Sequence, residues 1–393
     1  MINLLEKINK EKRGTFKLGD LVFINKKNIS KDFSHDKIEY IDTSSVTNNK
    51  FEKPSILDIK DLPSRAKRLV EDGDTIISTV RPSQKHFGYI SNPKPNTVVS
   101  TGFAVLTPKN IDPYFLYLYL TKDEITRTLN GIAEATTTTF PAFRPDVLED
   151  MEVIIPDLPI QEKITEILSA YDKKIENNNK IIQTLEKIGE TIFKEWFVDF
   201  KFPSFEKTKF VNSEIGRIPE GWDVKNLDDV SDILFGFNFK ASLFKENGDG
   251  VPVVRIRDVL LGYTKTFSLE SVDEKYLIKP KDLVIGMDGT FHTRIWFKDG
   301  QYLNQRVSRI RSKIPMAFLY QSIKKKLDFL QRTIVGATVA HLSNGDIRNF
   351  KIIVPKDEKL LNIFLNFTEK TVVLEKENIL LEETRNTLLA KLI

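Results

Sequence analysis

Between Pro159 and Trp196 the apolar residues fall into a heptad. Leu168, Ile175, Ile182, Gly189 and Trp196 form one column, and Tyr171, Asn178, Leu185 and Ile192 stand three residues after the first four. This spacing predicts a helix about four heptads long with a coiled-coil seam. The remaining positions carry charges and amides, among them Glu166, Asp172, Lys173, Lys174, Glu176 and Asn177, so one side is solvated and the other needs an apolar partner. Pro159 suits the first turn, because its missing N–H is one that a helix start leaves unpaired.

Before that helix the period changes. From Thr15 to Pro156 short β-type runs (Leu21 to Ile24, Thr75 to Val80, Thr97 to Leu106, Met151 to Ile155) are separated by Gly, Pro, Asn and Asp, with one helical run from Asp112 to Leu129. The mixture predicts an α+β domain. After a Phe/Lys/Pro linker from Phe197 to Phe210, the same signals return in the same order. Phe16 to Leu21 is echoed by Lys225 to Val230, Gly73 to Ile77 by Lys281 to Ile285, Pro113 to Tyr117 by Met316 to Tyr320, and Glu152 to Pro156 by Lys351 to Pro355.

Pro156 and Pro355 stand 199 residues apart, and the same step carries Leu168, Ile175, Ile182 and Gly189 onto Phe367, Leu374, Leu381 and Leu388. A second helix is therefore the expected partner of the first, with Leu168, Ile175, Ile182 and Leu185 facing Phe367, Leu374, Leu381 and Leu388. The other column maps onto Lys370, Glu377, Thr384 and Lys391, which leaves Val373 and Leu380 as the predicted seam residues. The predicted fold class is α+β: two repeated domains separated by two long antiparallel helices in a coiled coil, related by a pseudo-two-fold axis. The expected division is a first domain over 1–157, a helix over 158–200, a linker over 201–218, a second domain over 219–356 and a final helix over 357–393. The second copy stops short of its version of Glu195 to Phe200, and residues 1 to 13 are expected to fill that gap.

Composition narrows the class. A chain of 393 residues exceeds one ordinary core and predicts two or three domains. It holds no cysteine, so there is no disulfide framework or thiolate metal site, which fits a reducing cytoplasm. Charges interrupt MINLLEKINKEKR and every later apolar run, so neither export nor a membrane span is expected. The net charge of +4, from 59 basic and 55 acidic residues, says little about partners.

Catalytic signatures are missing. A DNA aminomethyltransferase needs an Asp/Asn-Pro-Pro-aromatic loop for the extruded base and a Gly-rich loop for the methyl donor. Asp112-Pro113-Tyr114 lacks the second proline, and Phe235-Gly236-Phe237 lacks the glycine spacing. No Walker A sequence occurs, and neither Pro145-Asp146 nor Pro156-Asp157 has the acidic-x-Lys sequel of a nuclease. His35, His86, His292 and His341 lack metal-ligand spacing, so no metal site is expected.

Binding chemistry, in contrast, gathers at matching places in the repeat. In the first domain a β-type run delivers Thr79, Arg81, Ser83, Gln84, Lys85 and His86 on a Pro-stiffened loop, a mixture of phosphate-positioning and base-edge donors. The second domain has Asp288, Thr290, His292 and Arg294 at the equivalent place, with Arg255-Ile256-Arg257 nearby, whose alternation puts both guanidinia on one face of an expected strand, and Gln305-Arg306-Val307-Ser308-Arg309 nearby as well. Polar loops precede the last strand of each domain, with Thr138 and Arg144 in the first and Thr338 and His341 in the second. The strands match between copies and the loops differ, as expected for two domains that read different DNA sequences.

Three segments carry a family resemblance: Ser213-Glu214-Ile215-Gly216-Arg217-Ile218-Pro219-Glu220-Gly221-Trp222, Val251 to Val259, and Gly336-Ala337-Thr338-Val339-Ala340-His341-Leu342-Ser343 before the last strand. With the duplicated helix, they make the chain resemble the specificity (S) subunit of Type I restriction-modification systems over its whole length. The first domain departs from the pattern, lacking Ile-Pro-Glu-Gly-Trp and carrying Thr136 to Arg144 in place of the third segment. The resemblance implies a non-catalytic subunit that binds double-stranded DNA, one half of a bipartite site per domain. It also implies two methylase subunits with S-adenosylmethionine, and restriction subunits with ATP and Mg, while this chain binds no cofactor. About 37 residues of helix at 1.5 Å each give a rod of roughly 55 Å, longer than one ~34 Å turn of DNA, so the helix would act as a ruler between half-sites. The S component of a related Type II system with fused methylase and nuclease, a helical scaffold with no DNA role, and an enzyme with its own active site are the alternatives.

Overall fold

A computed structural model describes residues 12–30, 32–136, 141–246, 248–333 and 341–393, and the chain divides into two units, Met1–Lys174 with Leu381–Ile393 and Ile175–Leu380. In the first unit the strands are β1 (Arg13–Lys17), β2 (Val22–Ile24), β3 (Lys37–Ile41), β4 (Ser55–Asp58), β5 (Ala66–Leu69), β6 (Thr75–Ser78), β7 (Phe87–Tyr89), β8 (Thr97–Ser100) and β9 (Phe103–Pro108). Helices α1 (Pro113–Leu120) and α2 (Asp123–Thr136) follow, then β10 (Glu152–Pro156) and the long α3 (Leu158–Phe193). One sheet runs β2-β9-β6-β7, all antiparallel; a second runs β4-β3-β8-β5 with β3 and β8 parallel; β1 pairs with β10.

The second unit repeats this plan. Its elements are the hairpin β11 (Phe210–Ser213) and β12 (Gly216–Pro219), β13 (Asp223–Asn226), β14 (Ser231–Phe235), β15 (Val251–Val254), α4 (Ile256–Leu261), β16 (Phe267–Ser268) and β17 (Leu277–Ile278). They continue with β18 (Leu283–Gly286), β19 (Thr293–Ile295), β20 (Gln301–Leu303), β21 (Val307–Ser312), α5 (Met316–Thr333), β22 (Lys351–Val354) and α6 (Asn362–Leu392). The order β14-β21-β18-β19 reproduces the first sheet, β16-β15-β20-β17 corresponds to the second with β15 and β20 parallel and a fifth strand, Phe244–Lys245, added beyond β16, and β13 pairs with β22. Single hydrogen bonds match as well. Leu18 N donates to Met151 O, and Leu227 N to Phe350 O, both at 2.8 Å. Buried Asp74 accepts from Glu71 N at 2.7 Å, and buried Asp282 accepts from Lys279 N at 2.8 Å.

Two expected runs are divided. Thr97 to Leu106 turns at Thr101 and Gly102, so β8 and β9 lie in different sheets. The run from Asp112 breaks after Leu120 into α1, which is apolar on all sides and buried, and α2, which buries only Thr126, Leu129 and Ala133. The Asp112 carboxylate caps α1 by accepting from Phe115 N at 2.7 Å. The Phe/Lys/Pro stretch packs closely: Phe197 and Phe202 are buried with Phe193, Trp222, Phe318 and Phe364, and the Phe202 and Trp222 ring centroids lie 4.9 Å apart. Trp222 of the Ile-Pro-Glu-Gly-Trp segment is thus an apolar anchor for the end of α3.

Helices α3 and α6 pair antiparallel within each unit. In the first, Leu168 shares a core with Leu388 and Leu392, and Asp172 pairs with Arg385 at 3.3 Å. In the second, Asn178 meets Asn378, and Gly189 leaves room for the Phe367 ring. Of the expected interface, Leu168, Ile182, Leu374 and Leu388 are buried, while Ile175, Leu185, Phe367 and Leu381 are half-buried. The expectation for Val373 and Leu380 fails: they are 59% and 65% exposed. The second column instead runs Phe364, Thr371, Asn378, Arg385 and Leu392, one residue beyond the positions reached by the step of 199, and its middle is polar. Asn178, fully buried, donates to Asn378 Oδ1 and Glu377 Oε2 at 2.9 Å each, and Asn378 returns a bond to Asn179 Oδ1 at 3.0 Å. Residues 1–11 lie outside the described residues, so their expected role at the gap does too; Arg13 donates to Leu392 O at 2.8 Å near the end of α6.

Replacing one member of the amide pair strands the other. Asn178→Leu should lower stability by about 1–3 kcal/mol, read as a lower urea midpoint, and adding Asn378→Leu should recover most of it. A double variant no more stable than the single one would contradict this reading.

Candidate nucleic-acid interface

The loops of interest grow from the central strands of each first-type sheet. Past β6, Thr79 N donates to Gly102 O at 2.8 Å, Phe143 N donates to Thr79 O at 3.0 Å, and Val80 bridges Ala142. Past β18, Met287 N donates to Arg306 O at 2.9 Å, Leu342 N donates to Met287 O at 2.8 Å, and Asp288 bridges His341. One backbone frame therefore carries Val80, Gly102 and Ala142 in one unit and Asp288, Arg306 and His341 in the other.

In the first unit, Arg81 and Lys85 flank a short 3-10 turn over Pro82–Gln84, both at left-handed φ values of 48° and 56°. Non-glycine residues adopt that region rarely, and contacts hold them there. Arg81 N donates to Pro141 O at 2.8 Å, Ser83 N donates to Asn130 Oδ1 of α2 at 3.3 Å, and the Lys85 ammonium pairs with Asp123. His86 Nδ1 lies 2.6 Å from Val46 O, which orients the ring, and Nε2 lies 3.2 Å from Gln84 Oε1. Arg81, Ser83 and Gln84 are exposed, and Arg144 is exposed beside Asp146. Thr79 is buried, its hydroxyl donating to Gly102 O at 3.1 Å, so it braces the loop.

In the second unit, Gln331 of α5 clamps the turn after Asp288, accepting from Phe291 N at 2.8 Å and donating to Gly289 O at 2.9 Å. Asn130 and Gln331 thus play one part in the two copies, and the near-constant step along the repeat is the sequence signal that finds them. Thr290 and Gln305 are exposed, and His292 is half-buried. Exposed Arg294 donates to Leu260 O at 3.2 Å, lying across the C-terminal end of α4 where a cation is favoured.

Two expectations fall. Arg255 and Arg257 do not share a strand face: β15 ends at Val254, Arg255 precedes α4 with its N–H held by Asp258 at 2.9 Å, and Arg257 lies in the helix. A buried aspartate at the helix start overrides the local alternation. Arg309 is buried on β21 against Asp232 at 2.8 Å and is structural. Thr138 and Thr338 lie outside the described residues.

Asp288 receives Arg306 Nε at 2.9 Å and Nη2 at 2.7 Å, a two-point pair, and His341 Nδ1 lies 2.5 Å from the same carboxylate. Arg306, followed by His341, holds the Asp288 carboxyl below the usual carboxylate range. A carboxyl lowered in the folded state stabilises at pH above about 4, and that contribution is lost as pH falls through the lowered value. The protection of the Met287 and Leu342 amides, taken as exchange relative to the unfolded chain at the same pH, should stay high at pH 5 and fall in stronger acid, and Asp288→Asn should remove that acid dependence. The same acid profile in the variant would contradict it.

Among the described residues there is no group of three or more His, Cys, Asp or Glu that could hold a metal, and no helix long and apolar enough to cross a membrane. The family model of the Type I restriction modification DNA specificity domain matches residues 10–187 and again 219–383. The Type I restriction enzyme HindI specificity subunit of Haemophilus influenzae is 28% identical, covering 96% of this chain and 98% of its own. The MjaIX specificity subunit of Methanocaldococcus jannaschii is 27% identical over 79% of this chain and 75% of its own. The crystal structure of the Type-I restriction-modification system S subunit from M. genitalium shares the fold, with a TM-score of 0.52 at 15% identity over 98% of this chain and 97% of that one.

Proposed function

The chain belongs to the Type I restriction modification DNA specificity family, and we propose on that ground that it selects the DNA sequence on which a Type I modification and restriction complex acts. Specificity subunits of this family are non-catalytic. Each unit reads one half of a bipartite site in double-stranded DNA. The reading is supported most directly by the repeated frame past β6 and β18, one backbone with two different side-chain sets. Such a frame fixes where donors stand while leaving free which bases they meet.

In this reading Arg81, Ser83, Gln84, Lys85, His86 and Arg144 face the first half-site, and Thr290, His292, Arg294, Gln305, Arg306 and His341 the second. Exposed arginines suit guanine edges or phosphates, and the glutamine suits adenine. The complex works in the cytoplasm with two methylase subunits that carry S-adenosylmethionine and restriction subunits that carry ATP and Mg. The helix pair and the aromatic anchor around Trp222 supply rigid surfaces on which methylase subunits could sit.

The test uses the complex reconstituted with its methylase partner. Arg81→Ala and Lys85→Ala should weaken methylation at one half-site, and Arg294→Ala and Arg306→Ala at the other, by about 1–3 kcal/mol where a base contact is lost. A pure phosphate contact should instead reduce the salt slope of DNA binding. Unchanged affinity and site choice in all four variants would overturn the loop assignment.

A further inference from the structure

The Asp288 carboxylate belongs to the loop set proposed to face DNA, yet its lone pairs are already engaged. Oδ2 accepts from Arg306 Nε at 2.9 Å, and Oδ1 accepts from Arg306 Nη2 at 2.7 Å with His341 Nδ1 2.5 Å away. A carboxylate so occupied has little left for a cytosine amino group, and near phosphates its charge is unfavourable unless a cation neutralises it. The pairing also decides what Arg306 can offer. Nε and Nη2 are turned inward, Nη2 also lying 2.8 and 2.6 Å from His341 Nδ1 and Nε2 and 3.4 Å from Leu342 O, and among the described residues Nη1 has no partner. Arg306 itself stands at a left-handed φ of 69°, a conformation that needs such anchoring.

The first unit supplies the comparison. Its equivalent bridge joins Val80 to Ala142, with Gly102 at the place of Arg306, so the backbone frame closes there without any ion pair. The Asp288, Arg306 and His341 set is therefore not required by the frame and has been added to it. We propose that Asp288 is a positioning residue for half-site recognition. It makes no DNA contact, and by holding the Nε and Nη2 edge, against which His341 also lies, it limits Arg306 to a one-sided approach through Nη1. This rests on the reading of the chain as a DNA specificity subunit. The second unit then takes hydrogen bonds from Arg306 through the one nitrogen Nη1, to a base edge or a phosphate, and loses the paired-nitrogen fork by which an unpaired arginine recognises guanine at two points.

A double-mutant cycle in the complex with its methylase partner tests it, scored as methylation rate on DNA carrying either half-site, with the first half-site as the internal control of folding. Asp288→Ala and Arg306→Ala should each reduce second-half-site methylation about ten-fold or more, and the pair together should lose no more than Arg306→Ala alone. Arg306→Lys should fail to rescue, because an ammonium cannot fill the two-point pair. Losses that multiply in the double variant, an Asp288→Ala rate equal to the parent, or relaxed choice at one cytosine position persisting when Arg306 is already absent would each overturn the positioning role. No effect of Arg306→Ala on DNA affinity or site choice would instead overturn the DNA reading of this loop.

Discussion

The buried amide pair of Asn178 and Asn378 is the constraint on which the helical part of the molecule rests. Each side chain is almost fully buried, and each finds its partner only in one register of two antiparallel helices. Slipping α6 by a heptad would set an asparagine opposite an apolar position such as Leu185, leaving buried polar groups unpaired at about 1–3 kcal/mol each. A polar residue in a seam lowers stability relative to leucine and makes the register unique.

The domains show a second form of the same economy. Their sheets, their β1–β10 and β13–β22 ladders and the hydrogen bonds that seat the loops are nearly interchangeable, whereas the side chains hung on the loops are not. Val80 and Ala142 close the frame with apolar atoms, and Asp288 and His341 close it around an arginine. If these loops face DNA as proposed, sequence preference can change by substitution at a few positions without repacking either core.

Much of this was legible in the residues. The step of 199 located the last strand and the long helix of each copy, and the earlier strands and loops were found by their unchanged order, because core positions tolerate little change. The misses have physical causes. Val373 and Leu380 attracted the seam assignment because they are apolar, while the true column holds Thr371, Asn378 and Arg385, of which Asn378 bonds Asn178 and Asn179 across the seam and Arg385 pairs with Asp172. Arg255 and Arg257 alternate as in a strand, but Asp258 starts a helix beneath them. Arg309 is as basic as its neighbours and differs only in facing the interior, where Asp232 meets it. Burial of charges depends on contacts distant in sequence, and alternation alone cannot report it.

The central claim is that this chain chooses the DNA sequence on which its complex acts. Sequencing methyladenine across the genome of cells with and without this gene tests it most directly. A bipartite motif, two short specified halves separated by a fixed unspecified spacer, should be methylated when the gene is present and vanish when it is deleted, with the methylase genes intact. An unchanged set of methylated sequences after deletion would contradict the claim.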